Sequence, residues 1–173
     1  GVHKESHYQH APGHAGAADG LDSSLGALFD GRALRLGHGV RLAEDITTAR
    51  EDDENTYVTL GPVAQWVKDR EIALELSPSS NLQTGAIEQW GTDLIDHPFD
   101  LLYQLGFRVT VNTDNRLMSA NSLGRELYLL SEAFGYDLTA LAVSQLTAAA
   151  ATFLPLEERE ELADITTAGF DDA

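Results

Sequence analysis

The segments Arg35-Leu-Gly-His-Gly-Val40 and Val109-Thr-Val-Asn-Thr-Asp-Asn115 decide the fold class of this chain. In each of them a short apolar run ends in glycine or polar residues, which is typical of a strand buried in a parallel sheet. His14-Ala-Gly-Ala17 is a third segment in which small residues follow a polar one. Because α/β folds carry their sites where strands end, we expect the polar residues of all three segments to lie near one another.

The polar residues at these strand ends are candidates for a metal site. They are two imidazoles and one carboxylate, His14, His38 and Asp114, and the small residues beside them leave room for an ion or a substrate. The chain contains no cysteine, so a metal here must be bound by histidine and carboxylate. Ala17 occupies a position where such a site would need an acid. The sequence therefore indicates a metal site that lacks an acidic residue at position 17.

Strands and helices alternate along most of the chain. Apolar runs predict strands at Ala33–Val40, Ile72–Leu76 and Phe107–Val111. Apolar residues at helical spacing predict helices at Leu21–Phe29, Leu60–Asp69, Phe99–Leu105, Ser122–Phe134, Leu138–Phe153 and Pro155–Ile165. Asp96 and Pro98 suit the cap and first turn of one helix, Ser77–Asn81 a turn, and the polar stretch Glu44–Asn55 a loop or weak helix. This alternation predicts an α/β fold with a parallel sheet or barrel.

Acidic residues dominate the charge of the chain. It has 28 acidic and 11 basic side chains, for a formal net charge of -17. A charge of this sign repels phosphate backbones and anionic lipid, so we expect neither nucleic acid nor a membrane as a partner. No apolar stretch approaches the roughly 20 residues that span a bilayer. A cytoplasmic location is the default expectation.

The length and composition suit one domain with flanking segments. The 173 residues, of which 43% are hydrophobic, are enough to bury one core. Residues 1–13 are polar and without apolar periodicity, so we expect a flexible N-terminal arm. His3, His7, His10 and His14 include pairs spaced by four, which could present imidazoles to a metal on one helical face, but we expect this spacing to be accidental. Residues 166–173 are expected to form an acidic tail. The first residue is glycine, which leaves open that the chain is a processed product or a part of a longer one.

Several motifs in a fixed order carry a resemblance to a known family. His14-Ala-Gly16, Arg35-Leu-Gly-His-Gly-Val40, Glu75-Leu-Ser-Pro-Ser-Ser-Asn81 and Asn112-Thr-Asp-Asn-Arg-Leu-Met118 resemble the successive motifs of the adenosine deaminase family. The resemblance implies the carboxyl-terminal half of a TIM-type (β/α)8 barrel, that is about four β/α units corresponding to strands five to eight. Residues 14–165 would form this partial barrel.

The family's chemistry is the hydrolytic removal of the 6-amino group of adenosine or a related purine nucleoside. One Zn²⁺ ion per site activates a water molecule, which attacks the purine ring. By resemblance, His14 and Asp114 would be zinc ligands, and His38 would help to deprotonate the water as a catalytic residue. Asn115 falls where many members have a second aspartate, and its amide would contact the purine as a substrate-binding group.

Two departures from the family pattern predict impaired catalysis. The chain has no His-x-His motif, which supplies two further zinc ligands in the family, so it should bind zinc weakly or not at all when alone. Ala17 replaces the family's glutamate, which protonates the purine ring. General acid–base groups contribute ~10²–10⁴-fold to rate, so this loss alone would be severe. The alternative is therefore a non-catalytic pseudoenzyme or barrel fragment with a binding or assembly role.

Part of a barrel leaves strand edges and apolar surface uncovered. We therefore expect either a complementary N-terminal half or self-association as the protein partner. Two residue-level alternatives also stay open: His38 as a hydrogen-bonded structural imidazole, and the tryptophans Trp66 and Trp90 as core or interface anchors rather than purine-stacking groups.

Overall fold

The computed structural model describes Leu21, residues 26–51 and residues 56–172. Its strands are β1 (Arg35–Gly37), β2 (Ile46–Glu51), β3 (Thr56–Leu60), β4 (Ala73–Leu76) and β5 (Val109–Val111). Its α-helices are α1 (Pro62–Asp69), α2 (Pro78–Gln83), α3 (Phe99–Gln104), α4 (Arg116–Ser119), α5 (Leu123–Phe134), α6 (Leu138–Ala150) and α7 (Leu156–Asp171). A π-helical turn covers Gly26–Asp30, and 3₁₀-helices cover Gly39–Asp45 and Leu94–Asp96. These elements confirm the predicted α/β class.

Strands β1, β4 and β5 form a parallel sheet in that order. Leu36 pairs with Leu74, and Leu74 in turn pairs with Val109. Paired residues of adjacent strands point to the same face, so these side chains form one apolar face, and all of them are buried in the core. The three strands lie inside the ranges that the apolar runs predicted. Strands β4 and β5 begin later than predicted and end where predicted, whereas β1 is shorter at both ends.

The opposite face of the sheet is polar and is held by an ion pair. Arg35 Nε lies 2.7 Å from Glu75 Oε1, which joins β1 to β4. The same guanidinium donates to the carbonyl of Ala151 at 3.1 Å and lies 4.1 Å from the ring centroid of Phe153. Arg35 therefore links the sheet to the residues that follow α6.

The expectation of a loop or weak helix at Glu44–Asn55 is wrong for residues 46–51, which form β2; Glu44 and Asp45 belong to a 3₁₀-helix, and residues 52–55 lie outside the described residues. Strands β2 and β3 form an antiparallel pair, with a register shift between Thr48 and Arg50. Ile46 and Leu60 pair with each other and pack against the core, whereas most of β3 faces solvent. A polar strand with one anchored end gives no apolar alternation, so the sequence pattern did not reveal it.

Helix α1 starts later than predicted because Leu60 still belongs to β3. Asp45 Oδ2 accepts hydrogen bonds from the backbone N–H groups of Val63 and Ala64, both at 2.8 Å, and so caps the helix from a distant part of the chain. A side chain at Gly61 would collide with this carboxylate. Trp66 of α1 packs against the core, as expected for an anchor.

Two predictions around α2 and α3 need correction. The residues after β4 form the short helix α2 rather than a turn alone. Asp96 does not cap α3, because its carboxylate accepts from the backbone N–H of Asp93 at 3.1 Å. Pro98 lies one residue before the helix, as its N-cap residue, and α3 begins at Phe99.

The carboxyl-terminal helices agree with the sequence pattern. Ser122 Oγ accepts from the backbone N–H of Arg125 at 3.2 Å and caps α5, while Asp137 Oδ1 caps α6 through Ala140 N–H at 2.8 Å. Helix α7 continues beyond the predicted end at Ile165. None of the helices formed by the described residues is long and apolar enough to cross a lipid bilayer.

Candidate functional site

The carboxyl ends of the three parallel strands bring the candidate residues to one edge of the sheet. His38 follows β1 directly, Ser77 follows β4, and Asn112 follows β5. Parallel strands end at the same edge, so the segments that leave them lie side by side. The candidate site therefore lies at this edge.

His38 and Asp114 lie together at this edge. His38 Nε2 is 3.8 Å from Asp114 Oδ1, and the two side chains are 17% and 36% exposed. An imidazole facing a carboxylate that solvent can reach is a pair able to hold a cation or move a proton. The structure thus juxtaposes two residues that are far apart in the sequence.

Both residues of this pair have left-handed backbone. His38 has φ 52° and Asp114 also has φ 52°. Histidine and aspartate tolerate this region better than most side chains, but such backbone is concentrated at functional sites, where surrounding contacts maintain it. At both positions it turns the chain sharply away from the strand that precedes it.

Ser80 of α2 also contacts Asp114. Its hydroxyl donates to Asp114 Oδ2 at 2.6 Å, and the serine itself is buried. Asn112 supports the same segment, because its amide nitrogen donates to Thr110 Oγ1 at 2.8 Å and to the carbonyl of Leu76 at 3.3 Å. The segment that carries Asp114 is therefore tied to both β4 and α2.

Asn115 lies next to the pair but has a structural contact of its own. Its side-chain oxygen accepts from the backbone N–H of Met118 at 3.1 Å and caps the short helix α4. The residue is exposed, so its amide is accessible from solvent. Its predicted contact with a purine stays a prediction.

A second histidine lies on the buried side of α2. His97 Nδ1 accepts from the backbone N–H of Phe99 at 2.9 Å, which leaves Nε2 to donate to Asn81 Oδ1 at 3.1 Å. Burial lowers the pKa of His97 from 6.5 to about 3, because the imidazolium would lose its hydration. This imidazole is therefore neutral at physiological pH.

Glu126 of α5 anchors the same part of the molecule. The residue is fully buried, with 0% of its surface exposed. Its carboxyl oxygens accept from the backbone N–H of Ser79 at 3.3 Å and from the side-chain amide of Asn121. Glu126 thus fixes α2 and the segment before α5 to each other.

A family model described as adenosine deaminase matches residues 4–168 of the chain. The adenosine deaminase of Mycobacterium sp. (strain KMS) is 48% identical over 151 residues. The chain belongs to the adenosine deaminase family. That alignment covers 87% of this chain but 40% of the relative, so the chain spans well under half the length of the curated protein it matches.

Solved structures show the same fold. The adenine deaminase of Arthrobacter aurescens superposes with a TM-score of 0.74 at 21% identity, covering 91% of this chain and 42% of that one. An amidohydrolase from Burkholderia ambifaria with bound Zn gives a TM-score of 0.69 at 15% identity, covering 92% and 39%. The chain therefore has the fold of part of a (β/α)8 barrel, as the motifs implied.

The donor chemistry at the carboxyl edge suits the zinc of this family, but the described residues do not complete a site. Asp114 and His38 offer a carboxylate oxygen and an imidazole nitrogen, both of which are zinc ligands in proteins. Within residues 26–51 and 56–172, together with Leu21, no three histidine, aspartate or glutamate side chains converge as a metal cluster. His14 and Ala17, the other two positions singled out in the sequence, lie outside the described residues.

Sequence reasoning did not single out Ser80, His97 and Glu126 as contributors to the site. Ser80 lies inside the family-like motif Glu75–Asn81, but the motif does not say which atoms its hydroxyl contacts. Glu126 lies on α5, which was predicted as a helix, but charged side chains are ordinarily exposed, so the sequence pattern did not indicate its burial.

Proposed function

We propose that this chain supplies the carboxyl-terminal part of a zinc aminohydrolase that converts adenosine to inosine in purine metabolism. The juxtaposition of His38 and Asp114 at the carboxyl edge, 3.8 Å apart, carries the proposal. Membership of the adenosine deaminase family supports the reaction class. Adenosine is preferred because the curated relative is an adenosine deaminase, while adenine is the competing substrate because the Arthrobacter aurescens neighbour is an adenine deaminase.

Each residue has a distinct part in the proposed reaction. Asp114 and His14 would hold the zinc ion, which when bound supplies Lewis-acid activation of water. His38 lies beside Asp114 and would accept the proton that the attacking water loses, because an imidazole nitrogen can act as a general base. The exposed amide of Asn115 offers a hydrogen bond to the purine ring.

The chain is expected to work poorly by itself. Ala17 offers no proton to the purine ring, and the absence of a His-x-His motif leaves the zinc with too few ligands. We propose that the partner is the amino-terminal part of such a barrel, with self-association as the alternative. In support, Leu117 and Met118 on α4, close to Asn115, are 92% and 81% exposed. The cytoplasmic location stays a prediction.

Activity is best tested in a complemented protein. The chain is mixed with, or fused behind, the residues of the Mycobacterium sp. adenosine deaminase that precede the matched region, and adenosine conversion is followed by ultraviolet absorbance with and without Zn²⁺. We expect slow, zinc-dependent turnover that His38→Ala abolishes. Ala17→Glu should raise the rate by ~10²–10⁴-fold. Absence of turnover in both the complemented protein and its Ala17→Glu variant would rule out the enzymatic proposal.

The second candidate function is a non-catalytic role in binding or assembly, which the alanine at position 17 favours. It predicts no stoichiometric metal after dialysis and a defined oligomer in solution. Elemental analysis and light scattering on the purified chain separate the two functions. One tightly held zinc ion per monomer would contradict the non-catalytic role.

A further inference from the structure

Three consecutive residues of α2 are each tied to a different element. Ser79 donates its backbone N–H to Glu126 of α5, Ser80 donates its hydroxyl to Asp114 after β5, and Asn81 accepts from His97. The first and third of these contacts involve buried partners that are themselves fixed by the fold. The central residue therefore has little freedom to shift along or around the helix.

The central contact joins a buried donor to a partly exposed acceptor. Ser80 is 5% exposed, whereas 36% of the Asp114 side chain is exposed. A carboxylate at the surface can rotate freely about its own bonds unless a neighbour holds it. The hydroxyl of Ser80 holds Oδ2 at 2.6 Å, and this leaves Oδ1 on the side of His38.

We propose that Ser80 is a positioning residue for Asp114. Its hydroxyl fixes one carboxylate oxygen and thereby presents the other in a single orientation to the metal. This inference rests on the proposed function, in which Asp114 is a zinc ligand. Hydrogen-bond partners that orient a metal ligand typically contribute about 10- to 100-fold to metal affinity.

The test is a titration of the complemented protein, in which the amino-terminal part of the relative supplies the remaining ligands, with Zn²⁺ against a chromophoric chelator. His3, His7 and His10 are changed to alanine in every protein, so that imidazoles of the amino-terminal segment do not compete for the ion. The variants compared in this background are Ser80→Ala, Ser80→Thr, Ser79→Ala and Asp114→Ala. Ser79 is the matched control, because only its backbone N–H makes the contact with Glu126.

We expect Ser80→Ala to weaken Zn²⁺ binding at least tenfold. Ser80→Thr keeps the hydroxyl, so its affinity should stay within about threefold of the parent chain, as should that of Ser79→Ala. Circular dichroism and thermal unfolding show whether each variant is folded. Rescue by threonine distinguishes orientation of the carboxylate from a general packing role.

Three outcomes would overturn the inference. If Asp114→Ala weakens binding but Ser80→Ala does not, Ser80 does not position the carboxylate, and the proposed function stands. If Ser80→Thr is as weak as Ser80→Ala, the hydroxyl is not the cause of the effect. If Asp114→Ala leaves Zn²⁺ affinity unchanged, or the complemented parent protein binds no Zn²⁺, then Asp114 is not a ligand, and the proposed function fails with the inference.

Discussion

His38 and His97 lie in contrasting environments that are joined through the same short helix, α2. His38 is partly exposed at the carboxyl edge and faces the carboxylate of Asp114, which Ser80 of α2 holds. His97 is 2% exposed, and both of its ring nitrogens are hydrogen-bonded to neutral groups, one of them on Asn81 of α2.

The difference shows that surroundings, rather than residue type, assign the role of a histidine. An imidazole that lies beside a carboxylate and is partly exposed is able to accept or donate a proton. An imidazole whose burial lowers its pKa to about 3 serves as a neutral donor and acceptor that holds the fold. The buried histidine thus helps to hold α2, the helix whose Ser80 contacts Asp114 of the exposed pair.

Removal of the buried imidazole should give the largest effect. His97→Ala leaves a cavity and deprives both Asn81 and the Phe99 N–H of a partner, so we expect a loss of about 3 kcal/mol in the free energy of unfolding. His38→Ala should cost less than about 1 kcal/mol, because its side chain is partly exposed. Urea unfolding measures both, and equal losses would contradict the contrast drawn between the two histidines.

The anchor at Glu126 should be the next most sensitive. Glu126→Ala leaves Ser79 N–H and the Asn121 amide without their acceptor, at a cost of about 2 kcal/mol. Glu126→Gln keeps one acceptor oxygen and should lose less. Glu132→Ala, an exposed position on the same helix, serves as control and should stay within about 0.5 kcal/mol. A loss at Glu132 equal to that at Glu126 would show that the buried contacts contribute nothing.

The pH dependence of stability should separate the buried histidine from other groups. The folded pKa of His97 is about 3 against 6.5 when unfolded, so the unfolded chain takes up this proton first as the pH falls. Its contribution is complete above pH 6.5 and is lost towards pH 3, by at most about 1.4 kcal/mol per pH unit. Urea unfolding of the parent chain and of His97→Gln, each at pH 7 and pH 5, measures this effect. The free energy of unfolding of the parent chain, relative to that of His97→Gln, should be lower at pH 5 than at pH 7. If the stability difference between the two proteins is the same at both pH values, the pKa of His97 is not lowered by burial.

Substitutions in the exposed pair of His38 and Asp114 should have the smallest effect on the free energy of unfolding. Asp114→Asn keeps an oxygen for Ser80 and suits the left-handed backbone, so its stability should change by less than about 0.5 kcal/mol. Asp114→Val lacks the acceptor and is β-branched at φ 52°, so we expect a loss of about 1–2 kcal/mol. Thermal and urea unfolding of the two variants give the comparison. A fully stable valine variant would mean that neither the backbone conformation nor the hydrogen bond to Ser80 contributes to stability.

The sequence pattern predicted the three strands of the parallel sheet but not the antiparallel pair of β2 and β3. Most residues of the strands that end at Gly37, Leu76 and Val111 are buried, so their apolar runs differ clearly from the flanking polar turns. Strands β2 and β3 pair mainly with each other at the surface. Their pairing depends on a partner strand, and no local periodicity encodes it.

The sequence by itself determined the family, the α/β class and the placement of His38 and Asp114 after strands, because these depend on short motifs and local burial. Only the tertiary structure decided which serine meets Asp114, and why His97 and Glu126 are buried. Those contacts join residues that are distant along the chain. Their geometry is set by how α2, α5 and the strand ends pack, which motif spacing does not specify.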